Sequence, residues 1–285
     1  MQSKVFLTGA TGYIGSAIAD ALLAAGYSVT GLARSDEAAR KLRAKGIAPF
    51  EGDLMSPVDL AKAAAASAAV IHAGTTNDGR IDREAILAMG NALRPLTPFL
   101  YTSGIWVLGD TGGKIADETW ELNPPALVAW RPDVENLVIA AARIGVRSVV
   151  IRPGIVYGRG GGIAADFVPS ARETGAARFV GTGENHWPVV HVDDLADLYV
   201  RALGSVGGTL FHATDGFAYR VREIAEAAGV TESWPLDEAR KTLGAYADAL
   251  VLDQLVSSEK AQRAFGWQPR AASILDDLRH GSYAR

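Results

Sequence analysis

The chain has no cysteine. Disulfides, thiolate metal sites and cysteine nucleophiles are therefore excluded. It has no surplus of basic charge: 28 lysines and arginines stand against 32 aspartates and glutamates, a net charge of −4. Neither nucleic acid nor an anionic membrane surface is an expected partner. No apolar run is long enough to span a bilayer. The alanine-rich stretch 61–69 carries Lys62 and Ser67 and reads as a helix running into a strand. Only four residues precede the first strand, which leaves no room for a cleavable signal. With no cysteine to oxidise, the expected compartment is the cytoplasm. Internal repeats and low-complexity linkers are also missing. So is a spaced set of metal ligands. His72 has no partner at ligand spacing and reads as a packing residue. Asp193 and Asp194, beside His191, stand where a helix begins, and carboxylates are favoured there by the helix dipole.

What is present is a large apolar fraction, 48% of 285 residues, enough for one large α/β domain or a domain plus a small lobe. Its organising stretch is Val5 to Gly15, V-F-L-T-G-A-T-G-Y-I-G. Val5 to Leu7 suit a strand buried on both faces. Gly9, Gly12 and Gly15 follow at every third position, and Ile14, Ala17, Ile18, Ala21 and Leu22 follow at helical spacing. A glycine turn between a strand and a helix lets backbone approach a pyrophosphate and offers it the positive helix end. The spacing is G-x-x-G-x-x-G rather than G-x-G-x-x-G. Its place between strand and helix makes it a dinucleotide signal.

Strands then alternate with helices, which predicts a doubly wound parallel sheet. Expected strands are 27–33, 47–50, 69–74, 98–103 and 146–151. The helices between them are expected near 12–25, 36–45, from Ser56-Pro57 onward, 82–93 and 123–144. Ser56 is expected to cap the third helix, and Pro132 to interrupt or kink the last. After Arg152-Pro153-Gly154 the texture becomes irregular, with helices expected at 193–203 and 221–228. The expected division is a dinucleotide-binding domain over 1–157 and a mainly substrate-binding lobe over 158–285, with segments around 189–215 returning to the first domain.

Arg34 stands where an NAD-binding sheet usually carries an acidic residue for the ribose hydroxyls. An arginine there suits the 2′-phosphate of NADP. The alternative is a solvated surface arginine. Asp53 and Leu54, after the third strand, are candidates to accept from the adenine amino group and to pack on its ring.

These motifs resemble the extended short-chain dehydrogenase/reductase superfamily, which includes the NAD-dependent epimerase/dehydratases. The resemblance runs through T-G-A-T-G-Y-I-G (8–15), E-G-D-L (51–54), V-I-H-A-G (70–74) and Y-T-S (101–103). It continues in R-P-G-I-V-Y-G (152–158), H-V-D-D-L-A (191–196) and S-E-K-A-Q-R-A-F-G-W-Q-P (258–269). It implies a Rossmann-like α/β domain with a small C-terminal substrate lobe. It implies cofactor contacts from the glycine turn with Thr11, Tyr13 and Ile14, and from Arg34, Asp53, Leu54, Ala73, Gly74, Pro153, Gly154 and Ile155. NADP is the expected cofactor, with NAD as the alternative. A homodimer through the helices around 82–93 and 125–144 is also implied.

The family's chemistry uses a serine or threonine, a tyrosine, and a lysine four residues later. Ser103 fits the serine. None of the eight tyrosines has a lysine four residues on. Counting back from Glu135, a glutamate position the family often keeps, puts Arg131 in the lysine place and Leu127 in the tyrosine place. Arg131 can bond the cofactor ribose and supply positive charge, but it does not give up its proton. Its alternative role is a surface pair with Glu135 at helical spacing. General acid catalysis contributes ~10²–10⁴-fold, roughly 3–5 kcal/mol of barrier, so a substitute donor matters. Tyr157 and His186 are candidates, and the alternative for Tyr157 is packing the loop into the lobe. His186 lies in a segment that lines the family's substrate pocket. Trp106 is a candidate aromatic wall or a core residue. The expected function is an oxidoreductase or epimerase/dehydratase-like enzyme on a small carbonyl or hydroxyl substrate. The alternative is a catalytically weak NADP-binding redox sensor.

Overall fold

The structure is a computed structural model and describes residues 3–168, 171 and 175–284. Its centre is a seven-stranded sheet. The strands are β1 Lys4–Thr8, β2 Ser28–Ala33, β3 Ala48–Glu51, β4 Ala69–His72, β5 Pro98–Thr102, β6 Arg147–Pro153 and β7 Thr209–Ala213. Their order is β7-β6-β5-β4-β1-β2-β3. β1 pairs in parallel with β2 and β4, β2 with β3, β4 with β5, and β5 with β6. This is the Rossmann-like arrangement expected. The order reverses between β1 and β4, and ligands of such sheets bind outside the carboxyl ends of the strands at that reversal. Val5, Phe6 and Leu7 are fully buried, as their unbroken apolar run requires.

The helices that follow the strands are α1 Tyr13–Ala24, α2 Asp36–Ala44, α3 Pro57–Ala65, α4 Gly79–Ala92 and α5 Arg131–Ala140. Ser35 caps α2 by accepting from the Ala38 amide at 3.2 Å. Ser56 does not cap α3. Its hydroxyl donates to Asp59 Oδ2 at 2.7 Å instead. Asp78 caps α4, accepting from Arg80 and Ile81, so that helix begins ahead of the expected Asp82. Pro132 does not kink a long helix. It occupies the first turn of α5, where a residue without an N–H costs nothing, and short 3₁₀ turns lie at 126–128 and 141–144. Phe6, Val70, Phe99, Tyr101 and Val150 from the strands form one core with Leu60, Ile86, Met89, Val134 and Val138 from α3, α4 and α5.

The chain divides into two compact units. The first comprises Met1–Ser103, Trp130–Arg152 and Ala196–Phe211, and the second Gly104–Ala129, Pro153–Leu195 and His212–Arg285. Residues 104–129, expected with the dinucleotide-binding part, cluster with the second unit, and 196–211 cluster with the first. The second unit is built from short strand pairs. Ile155–Tyr157 runs parallel to Val189–His191, and Ala177–Val180 parallel to Thr231–Trp234. Its largest core gathers Tyr157, Phe167, Phe179, Trp187, Ile224 and Leu278. Among the described residues, no helix is long and apolar enough to cross a membrane.

Candidate functional site

The glycine turn is built so that backbone touches backbone. Gly9 has φ +72°, a conformation that favours glycine. A Cβ on Gly9 would stand 2.7 Å from the Ala73 carbonyl and the Gly74 nitrogen. A Cβ on Gly15 would stand 2.1 Å from the Gly9 carbonyl oxygen. The Gly12 amide donates to that same oxygen at 2.8 Å, and α1 starts one residue later. Thr11 and Gly12 are exposed, and Tyr13 and Ile14 half-buried. The turn thus lies against the end of β4 and directs the positive end of α1 outward. That cradle fits a pyrophosphate.

The adenine-side candidates converge on the same edge. Arg34 is exposed immediately after β2 and forms no ion pair with the described residues. The nearby Glu37 pairs with Lys41 at 2.7 Å. Asp53 accepts from the Met55 amide at 2.8 Å. A Cβ on Gly74 would meet Leu54 Cδ1 at 3.4 Å, so the ends of β3 and β4 are in contact. The Gly74 amide donates to Thr8 Oγ1 at 3.1 Å, and that hydroxyl bonds His72 Nδ1 at 2.6 Å. His72 is fully buried, which confirms packing and adds a bond to the turn. Burial pushes its pKa down to about 4, against the pull of Asp82 and with further push from Arg131. The ring is neutral at pH 7.

At the end of β5, Ser103 is 6% exposed. Its Oγ has no hydrogen-bond partner among the described residues. An unpaired buried hydroxyl is costly and calls for an occupant. One residue back, the Thr102 carbonyl accepts from Arg131 Nη1 at 3.3 Å, and the same nitrogen reaches the Tyr101 hydroxyl at 3.4 Å. The guanidinium carbon lies 4.7 Å from the centre of the Trp130 ring. Burial pushes the Tyr101 phenol up, opposed by Arg131. The alternative of an Arg131–Glu135 pair is not realised. Glu135 grips Arg152 instead, at 2.9 Å and 2.5 Å, with both side chains buried.

In the second unit, the Pro153–Ile155 turn is tightly held. The Gly154 amide donates to the Ala213 carbonyl and the Ile155 amide to that of Pro188, each at 2.8 Å. Trp106 is half-buried, edge-on to Tyr246 at 5.9 Å. Tyr157 is buried, and its hydroxyl donates to the Ala272 carbonyl at 2.8 Å. Burial also pushes its pKa up. Tyr157 thus packs among buried groups, with its hydroxyl proton engaged by the Ala272 carbonyl. His186 is half-buried, with Nδ1 2.7 Å from Asp253 Oδ1, which also accepts from the His186 amide at 2.8 Å. Leu127 lies in a small apolar cluster with Ile105, Val107 and Val128. Asp194 fastens the backbone, accepting from the amides of Arg270 and Ala271 at 3.0 Å. Among the described residues, no group of three or more histidine or carboxylate side chains could hold a metal ion.

An NAD(P)H-binding family model matches residues 9–203. The chain belongs to this NAD(P)H-binding family. This NAD(P)H-binding protein is 34% identical over 298 residues to an uncharacterized protein of Schizosaccharomyces pombe, covering 98% of this chain and 99% of that one. It is 27% identical over 237 residues to a 4-hydroxy-2-methyl-3-oxo-4-farnesyl-3,4-dihydroquinoline-1-oxide ketoreductase of Stigmatella aurantiaca, covering 78% and 71%. It shares its fold with Thermus thermophilus UDP-glucose 4-epimerase in complex with NAD (22% identity, TM-score 0.77, 97% and 99% covered). It also shares it with human epimerase family protein SDR39U1 with NADPH (20% identity, TM-score 0.75, 98% and 99% covered).

Within this NAD(P)H-binding protein, the glycine turn, Leu54, Ala73 and Gly74 lie together at one edge, Asp53 directly precedes Leu54, and Arg131 reaches the Tyr101 hydroxyl and the Thr102 carbonyl beside Ser103 at the end of β5. Three features were not read from the sequence: the Trp130 stack, the Glu135–Arg152 pair and the His186–Asp253 pair. Aromatic-arginine adjacency at 130–131 was a signal for the first. The other two join residues 17 and 67 positions apart, and local pattern carries no trace of them.

Proposed function

We propose that this chain is an NADPH-preferring oxidoreductase of a small carbonyl or hydroxyl compound, working without the family's tyrosine. The observation that carries the reading is the buried, unpaired Ser103 hydroxyl within one residue of the Arg131 contact. A substrate oxygen completes that hydroxyl. NADPH, when bound, supplies hydride chemistry. Thr11 to Gly15 hold its pyrophosphate, and Asp53 and Leu54 its adenine. The Pro153–Ile155 turn and Arg131 serve its nicotinamide half. Arg34, exposed and free of a carboxylate, supports the preference for a 2′-phosphate. The ketoreductase relative and the NADPH-bound fold neighbour are consistent with this reading. Trp106 and His186 serve the substrate. A cytoplasmic homodimer through α4 and α5 belongs to the same proposal.

A second reading, a redox sensor that binds NADPH without turnover, is favoured by Leu127 in the tyrosine place. Titration with NADPH and NADH, followed by tryptophan fluorescence, and then a screen of carbonyl compounds separates the two. Selective NADPH binding with turnover is expected. In Arg34→Glu the selectivity should drop by about 10–100-fold, the worth of a charge-assisted bond. Unchanged selectivity removes Arg34 from the role. Binding without turnover leaves the sensor.

A further inference from the structure

Arg131 is a cation in an unusual place. It is the first residue of α5, where the helix dipole is already positive and a second positive charge is unfavourable. Asp133 shares the first turn of α5, and the two carboxylates whose charges reach the neighbouring Tyr101, Glu135 and Asp82, are both committed. Glu135 is held by Arg152. Asp82, buried, accepts from the Thr75 hydroxyl at 2.5 Å and from the Thr76 amide and hydroxyl at 3.0 Å and 2.9 Å. Arg131 forms no ion pair with the described residues. Among the described residues only Nη1 has acceptors, so donors on Nε and Nη2 are unspent. Unspent donors on a fixed cation mark a functional group.

We infer that Arg131 is the fixed positive charge that stabilises the oxyanion formed in carbonyl reduction, in place of a proton-donating tyrosine, and that Trp130 is its positioning residue. The inference rests on the oxidoreductase reading above. In the reaction, the carbonyl carbon gains a C–H bond from the reduced nicotinamide dinucleotide, which is oxidised. The carbonyl π electrons move to oxygen. The resulting alkoxide is held by the Ser103 O–H and the guanidinium, keeps its charge through the transition state, and then takes a proton from water. Arginine does not titrate, so no protein group needs to change charge.

Trp130 fixes the guanidinium from one side, Tyr101 and Thr102 from the other. Gly79 completes the clamp. A Cβ there would stand 2.6 Å from Trp130 Cβ and 2.8 Å from its Cγ, so any side chain at 79 displaces the indole.

The test uses the full-length protein, with wild type, Arg131→Gln, Arg131→Lys, Trp130→Leu and Trp130→Phe checked for folding by circular dichroism. Arg131→Gln should lose about 10²–10³-fold in kcat/KM, the scale of one oxyanion donor, and Arg131→Lys should regain part of it. Trp130→Leu should lower kcat while leaving KM nearly unchanged. Wild-type kcat should stay flat from about pH 6 to about pH 9. A second readout needs no cofactor. Acetate, standing in for the alkoxide, should change tryptophan fluorescence saturably in wild type, and neither in Arg131→Gln nor in Trp130→Phe. A titrating limb in the wild-type profile, or an acetate response that is absent or survives Arg131→Gln, overturns the inference. If acetate responds as expected and no carbonyl compound turns over, the anion site stands and the oxidoreductase reading falls.

Discussion

The turn after β1 and the strand end after β5 lie on the same edge of one sheet, yet they are made of different materials. At the turn, recognition is a property of backbone. Gly9 and Gly15 are defined by what they lack, and the side chains around them are interchangeable in kind. At the strand end, everything depends on side chains: one hydroxyl, one guanidinium, one indole. A backbone device survives drift in the residues around it as long as its glycines remain. A side-chain device changes chemistry with one substitution. The first end is fixed by what its backbone must touch, the second by which side chains stand there.

The sharpest way to break the contrast is at the turn itself. Gly15→Ala puts a methyl group into the Gly9 carbonyl, and its helix must move off the strand end. Loss of measurable NADPH binding is expected, along with a lower melting temperature. NADPH affinity within threefold of wild type would show that the turn is not the cradle. The next largest effect should come from Glu135→Gln, which removes the carboxylate from a buried pair and leaves Arg152 with an uncompensated charge. Chemical denaturation should show a cost of about 3–5 kcal/mol. A cost under about 1 kcal/mol would mean the pair behaves as an exposed one.

Ser103→Ala should separate the two ends cleanly. NADPH affinity should be unchanged and kcat/KM lower by about 10²–10³-fold. If both fall together, Ser103 serves the cofactor rather than the substrate. The smallest effect concerns His72, which ties β4 to the turn through Thr8. Its pKa is about 4 in the folded chain against 6.5 in the unfolded one. A depressed value means that its contribution is present above pH 6.5 and lost as pH falls through 4. Roughly 3 kcal/mol should disappear over that window. Denaturation of wild type and His72→Asn at stepped pH measures the difference in slope. Equal slopes would show that His72 is not neutral in the fold.

Much of the nucleotide end was legible because its determinants are local. Three glycines between an apolar run and a helical stripe specify turn, strand and helix together. Alternation of strands and helices pointed to a parallel sheet for the same reason. The places where reading failed are those where a side chain had a choice. Ser56 had a cap to make and bonded Asp59 instead. Pro132 was equally compatible with a kink and a start, and the chain uses it as a start. For Tyr157 the open choice was between a proton donor and a packing residue, and its hydroxyl donates to the carbonyl of Ala272, 115 residues away. Arg131 and Glu135 had the spacing of a helix pair, and Arg152 on the neighbouring strand won the carboxylate. Position in a motif singled out Ser103 and Arg131 as candidates, but not what surrounds them.

The Glu135–Arg152 contact also acts like a key in a shaft. Two parallel hydrogen bonds from a fork to a carboxylate resist twisting as well as pulling. They join α5 to β6 one helical turn beyond Arg131. Rotation of the helix about its own axis is what would swing the guanidinium away from the end of β5, and this pair blocks that one motion. Loosening the key would therefore read as an enzyme that still captures its cofactor and substrate yet no longer times the reaction correctly, though the altered residue touches neither.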